Sequence, residues 1–234
     1  MPDLHPRTAI GAVHLTIADL ERSVEFYRRH LGFAVHDRRG DTVWCGAGGP
    51  PLLVLTEDRA ARPRQNGTTG LYHFAILVPT RIDLARGLRN LIASNSALDG
   101  FADHGVSEAI YLADPDGNGI ELYRDRPRAE WPRRNGHLHM GTGPLDTEGL
   151  LDELSAESST TFLLPAGTVI GHVHLHVRDL AEAEYFYAGV LGFDVMQRYG
   201  RAALFVSAGG YHHHVGLNTW AGVGAPPPAP ESVG

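Results

Sequence analysis

The chain has 234 residues, 43% of them hydrophobic and 20% charged, which supports one large core or two small ones and excludes wholesale disorder. Twenty Lys and Arg against 27 Asp and Glu leave a net charge of −7 with histidines neutral, and with no Lys/Arg run the chain is a poor nucleic-acid binder. No apolar stretch nears the ~20 residues that span a bilayer, residues 1–10 lack the apolar core of a secretory signal, and a single cysteine permits no internal disulfide, so the expected setting is the reducing cytoplasm.

The elements follow in chain order. Val13, Leu15 and Ile17 alternate with His14, Thr16 and Ala18, the period of a strand. Asp19 is placed to cap a helix whose buried stripe is Leu20, Val24, Tyr27 and Leu31, with Gly32 to end it. Strands follow around 33–37, 41–45 and 52–55, and Cys45 reads as a small buried apolar residue. A second unit begins with a strand over 70–78 that carries His73, continues with a helix over 82–92, and ends with strands over 107–112 and 119–123. Residues 128–168 read as a connector with a short acidic helix around 147–154. A third unit then repeats the first. Residues 170–195 match residues 10–35 at thirteen positions at a fixed offset of 160, among them His14 with His174, Asp19 with Asp179, and the Phe-Tyr and Leu-Gly-Phe runs.

The fold class is therefore α+β, built from repeated βαβββ units. In chain order the first domain covers 9–126 as units 9–57 and 69–126. The connector is 127–168, the third unit 169–220 is half of a second domain, and 221–234, with four prolines and no apolar pattern, reads as a disordered tail. An odd number of units leaves one sheet face unpaired, and a homodimer would cover it.

Within these units, Glu121 lies between Ile120 and Leu122, so strand alternation turns it to the opposite face from both, toward the interior. An inward carboxylate is costly unless compensated, and a metal compensates it. His172, His174 and His176 share one strand face, whereas the run His212–His214 points to both. The segment from His104 through Tyr111, Asp114-Pro115 and Gly117 to Glu121, together with the Ala208–Leu217 stretch around the histidine run, resembles the vicinal oxygen chelate superfamily, and within it the extradiol dioxygenases closest to bacterial catechol-2,3-dioxygenase-like proteins. The one departure in the signature is Ala102, where Gly or another residue is usual, and a fourth unit of the family pattern is missing.

The resemblance implies half-open β-barrels with one metal, Fe(II), with Mn(II) suited to the same ligands. It implies His73 and Glu121 as two ligands and a first-strand histidine of the partner unit as the third. Pairing units two and three makes that ligand His174; pairing units one and two makes it His14. Only the former also assembles His214, with His213 as alternative, for acid/base work beside His104 and Tyr111, which would hydrogen-bond the substrate oxygens. The implied reaction is extradiol cleavage of a small aromatic diol by O₂. Three other readings stand beside it: a non-enzymatic small-molecule binding protein, an inactive shortened product, and a glyoxalase-type isomerase. The last would want a glutamate from each paired unit, and units one and three offer Leu and His instead.

Overall fold

The computed structural model describes residues 4–157 and 162–234. The first unit comprises β1 (Val13–Ile17), α1 (Leu20–Leu31), β2 (Ala34–Arg39), β3 (Thr42–Gly46) and β4 (Pro51–Glu57), with the sheet order β1-β4-β3-β2. The second has β5 (Gly70–Leu77), α2 (Arg81–Ala93), β6 (Gly100–Asp103), β7 (Ser107–Ala113) and β8 (Gly119–Asp125). The connector holds a β9 (Arg133–Arg134) and β10 (His137–Leu138) hairpin and α3 (Thr147–Asp152). The third unit has β11 (Val169–His176), α4 (Leu180–Glu184) running on into a π-helical turn (Tyr185–Val190), β12 (Asp194–Tyr199), β13 (Ala203–Ser207) and β14 (Val215–Asn218).

The local signals act as expected at α1. The Asp19 carboxylate accepts from the Arg22 N–H, and Gly32 closes the helix at φ 71°, a left-handed conformation that costs a glycine little. Leu20, Tyr27 and Leu31 are buried, and Cys45 is fully enclosed. Strand β6, unmarked in the sequence, pairs antiparallel with β7.

The sheets group the units differently from a first domain over 9–126. Units two and three share one eight-stranded curled sheet, β12-β13-β14-β11-β5-β8-β7-β6, whose seam is the antiparallel pair β11–β5. Unit one keeps its own four-stranded sheet. What units one and two share is a core, in which Leu20, Tyr27 and Leu31 of α1 cluster with Leu84, Leu88 and Leu91 of α2 and with Leu150, Phe162 and Leu164 of the connector. The apolar stripes of the two helices have nowhere else to go, so they bury against each other and leave the sheet edges free for unit three.

The expected disordered tail over 221–234 is instead laid down on unit one. The Val233 and Gly234 N–H groups donate to the carbonyls of Arg62 and Thr16 at 2.9 Å, and the Val233 side chain is buried. This covers the exposed edge of β1, whose backbone groups would otherwise lie unpaired. The proline-rich composition that suggested disorder fits an extended strap equally well.

Two expectations follow. Asp114, in the turn before β8, accepts from the Tyr27 hydroxyl at 2.8 Å, the Asn118 side chain at 3.0 Å and two backbone N–H groups. Asp114→Ala should cost about 2–4 kcal/mol, since it orphans several buried donors, and urea unfolding will read this as a lowered midpoint. Burial pushes the Cys45 thiol up to about 11, so at pH 8 the native protein should leave a disulfide reagent unreacted and titrate one thiol only after unfolding.

Candidate metal centre and cavity

Strand register dictates the site. Across β8, β5 and β11, Glu121 stands beside Ala75 and Ala75 beside His172; one step along, Gly119 stands beside His73 and His73 beside His174. Residues in register, and those two apart on one strand, share a face, so Glu121, His73, His172 and His174 all project from the same face of the curled sheet. Ala75 between Glu121 and His172 is too small to separate them. A β-bulge at Gly171 adjusts β11 there, and a glycine is required because the Tyr123 hydroxyl occupies the space a Cβ would fill.

Glu121 Oε2 lies 3.1 Å from His172 Nε2 and 3.0 Å from His73 Nε2. All three residues are buried, and one ligand atom from each falls within 4.8 Å of the others. The His172 approach is a well-formed hydrogen bond. The His73 approach is short but out of line, so His73 Nε2 is a buried polar atom without a partner. A buried nitrogen left unpaired beside a carboxylate is a cost that a cation between them removes. Burial alone would raise the Glu121 carboxyl, but His172 and His73 outweigh it and hold it well below the usual range. Burial, against the opposing pull of Glu121, takes His172 down to about 4. At neutral pH the group therefore presents a carboxylate and a neutral imidazole, the states a divalent ion needs.

The third member of the group differs from the expected one. His174 does not join the group: its Nε2 accepts from the Asn218 side chain at 3.0 Å, and its ring lies edge-on to His73 with centroids 5.0 Å apart. His14 is exposed on the separate sheet of unit one. The histidine that joins His73 and Glu121 is His172, for which the sequence alone gives only a place on the same strand face as His174. The helix caps carried the missing signal. His73 lies seven residues before its cap Thr80 and His172 seven before its cap Asp179, whereas His174 lies five before. In unit one the position seven before Asp19 is Ala12.

The group opens into a cavity of about 580 Å³ lined also by Tyr72, His104, Tyr111, Phe205, His213 and Trp220. Tyr111 stands in register with Glu121, and its hydroxyl lies 2.8 Å from His104 Nε2. Burial and the nearby Glu121 hold the Tyr111 hydroxyl protonated, well above its usual range. His104 Nδ1 lies 2.8 Å from the Gly141 carbonyl, which can only accept, so that nitrogen carries a proton. The connector thereby forms a wall of the cavity, pinned on its other side by Gln197, whose amide bonds both the N–H and the carbonyl of Met140. His213 faces the cavity, its ring tilted against that of His172 at 4.0 Å between centroids. His214 does not line it; its Nδ1 is taken up by Ser207 Oγ and the Ala208 N–H.

A cavity with a buried His/Glu/His group inside a curled sheet made of two βαβββ units narrows the class of protein considerably, and comparison with known proteins agrees. Residues 9–122 and 169–230 match the Glyoxalase/Bleomycin resistance protein/Dioxygenase superfamily, and the chain belongs to it. It is 51% identical over 231 residues to a catechol-2,3-dioxygenase from Bacillus subtilis (strain 168), a match covering 97% of this chain and 80% of that protein. Two solved structures share the fold at 16% identity. One is a protein of Bacillus subtilis subsp. subtilis str. 168 named as a dioxygenase, with a TM-score of 0.58 over 90% of this chain and 64% of that one. The other is a glyoxalase I mutant from Zea mays, with a TM-score of 0.54 over 88% and 66%. The chain is thus an enzyme homologue of the dioxygenase kind within this superfamily.

The ligand assignment has a direct measurement. His172→Ala and Glu121→Ala should each lower divalent-metal affinity by at least a hundredfold in a competition with a chromogenic chelator. His174→Ala and His14→Ala should keep one ion per chain. Loss of the ion from His174→Ala with retention by His172→Ala would reverse the assignment.

Proposed function

We propose that the protein is an extradiol dioxygenase that opens the ring of an uncharged catechol with O₂, using Fe(II) held by His73, His172 and Glu121. The observation that carries this reading is the convergence of two buried imidazoles and one carboxylate on one face of a cavity that also presents His104, Tyr111 and His213. Two histidines and a carboxylate suit a non-haem Fe(II) oxygenase because they leave coordination positions open. Bound there, the ion would act as a Lewis acid toward a catechol hydroxyl and as the site of O₂ activation.

The chain's own residues do the rest. His213 takes a proton from the substrate diol and returns it later, a role for which its place on the cavity wall beside His172 is suited. His214, the alternative base, is committed to the Ser207 turn. The Tyr111 hydroxyl and His104 Nε2 form one bonded unit beside Glu121, and together they orient the substrate oxygens. The aromatic walls, with Phe205 against His213 and Tyr72 packed edge to face with His174 and Trp220, shed water and admit a flat ring. Among the described residues no Lys or Arg lines the cavity, and Asp99 and Glu121 do. An anionic, carboxylated catechol would enter without a counter-charge. The cytoplasm is the expected compartment, given a single buried thiol.

The test begins with protein loaded with Fe(II) under anaerobic conditions and given catechol, then air. A yellow ring-fission product should appear, and Glu121→Ala should abolish it. His213→Ala should keep its iron and lose 10²- to 10⁴-fold in kcat, while His214→Ala stays within a few-fold. Carboxylated catechols should react with a kcat/KM at least tenfold below that of methylcatechols; equal values would remove the charge argument. No product from any catechol by an iron-replete protein would overturn the reading itself.

A further inference from the structure

Two polar groups behind His213, the buried His212 and the half-buried Asp125, have no part in the scheme above. His213 Nδ1 lies 2.8 Å from His212 Nδ1, and His212 Nε2 lies 2.8 Å from the Asp125 carboxylate. His212 is completely enclosed, with its ring between Tyr211 at 4.1 Å and Trp131 at 5.4 Å between centroids. Asp125 is the last residue of β8, four residues beyond Glu121 on the same strand.

With both imidazoles neutral, the proton positions from Asp125 to His213 follow from what each atom is able to do. A carboxylate only accepts, so His212 Nε2 carries a proton and donates it to Asp125. A neutral His212 then has a lone pair at Nδ1. The bond between the two Nδ1 atoms has one proton, so His213 Nδ1 supplies it, and His213 Nε2 is left as the lone-pair nitrogen. We propose that Asp125 and His212 are positioning residues for the reaction, a relay that fixes the tautomer and ring orientation of His213 so that its Nε2 is the free base. Without the relay, neutral His213 could place its proton on either nitrogen, and a large fraction of the molecules would present an N–H where the reaction needs an acceptor. The principle is the one by which a buried aspartate holds the histidine of a hydrolytic triad in its working tautomer. The run of three histidines thereby separates by role: His213 toward the cavity, His212 behind it as the relay, and His214 in the turn.

The inference deepens the proposed function and rests on it for the meaning of the free base, but not for the proton arrangement. The test uses the full chain with ¹⁵N-labelled histidine, and the His213 signals are assigned by difference from His213→Gln. In the wild type the His213 Nε2 resonance should be that of an unprotonated imidazole nitrogen. In His212→Leu and Asp125→Ala it should move toward the averaged position of mixed tautomers. With iron content unchanged, both variants should lose about 30- to 300-fold in kcat with KM within threefold. His212→Gln is the conservative control. Its amide offers an oxygen to His213 and an N–H to Asp125, so it should recover most of the lost kcat and restore the wild-type resonance. Unchanged His213 resonances in His212→Leu, or no difference in kcat between His212→Leu and His212→Gln, would overturn the relay. If the wild type cleaves no catechol while the resonances behave as described, the relay stands and the dioxygenase reading fails.

Discussion

The antiparallel pairing of β11 with β5 is the constraint on which the rest of the molecule depends. Neither strand carries a complete site. β5 contributes His73, β11 contributes His172 and His174, and Glu121 reaches the group because β8 lies on the other side of β5. A slip of one residue in this register would turn the histidines of one strand to the opposite face of the sheet. Side-chain size then finishes what register begins. Ala75 separates Glu121 from His172 in the sheet, and its small volume lets the two side chains meet above it at 3.1 Å. A β-branched residue there would improve strand propensity and fill the space where the ligand atoms converge.

The resulting group is an electrostatic liability that the fold retains. A carboxylate enclosed with two imidazoles loses its hydration. One of its two approaches is a proper hydrogen bond, while the other leaves His73 Nε2 unpaired. Packed apolar residues would serve stability better in such a place. The surroundings show the same pattern of polar groups carried inward in an ordered way: Tyr123 bonds Tyr211 at 2.7 Å, and His176 and His174 share the two ends of the Asn218 amide. Polar groups are tolerated at this density only when nearly all of them are satisfied. Among the exceptions are His172 Nδ1 and His73 Nε2, and the latter lies 3.0 Å from the Glu121 carboxylate, where a cation between them would complete the balance.

Much of this is legible in the sequence. The period-two and period-3.6 patterns located the strands and helices, the internal repeat defined the units, and the motif around Tyr111 and Glu121 pointed to the chemistry. The choice between His172 and His174 was not legible from alternation, because residues two apart share a face and alternation cannot say which of them approaches a third strand. Distance from the helix cap could say, since each helix starts at a fixed place relative to the strand before it. The third unit's resemblance to the first favours His174, the residue matching His14, although the first unit has Ala12 at the position matching His172. The short strand β6 and the course of residues 221–234 escaped for a different reason. Their positions are set by edges they cover rather than by any pattern of their own.

That alanine also clarifies what the first unit does. It keeps the βαβββ architecture without the ligand histidine, and its sheet takes no part in the cavity. Its influence passes through α1. The Tyr27 hydroxyl bonds Asp114, and Arg22 pairs with Asp116, whose carboxylate also accepts from the Ala18 N–H at 3.2 Å. These contacts grip both acidic residues of the turn between β7 and β8, and that turn fixes where β8 begins. Glu121 is the third residue of β8 and Tyr111 its register partner on β7. The Asp-Pro-Asp-Gly sequence thus serves as a turn, as its composition suggests, and as the point where a unit without chemistry of its own braces the strand pair that carries it. A buttress of this kind costs little in sequence, since it needs only an apolar helix face, one buried hydroxyl and one ion pair. It restrains the carboxylate from the side of the sheet opposite to the histidines of β11.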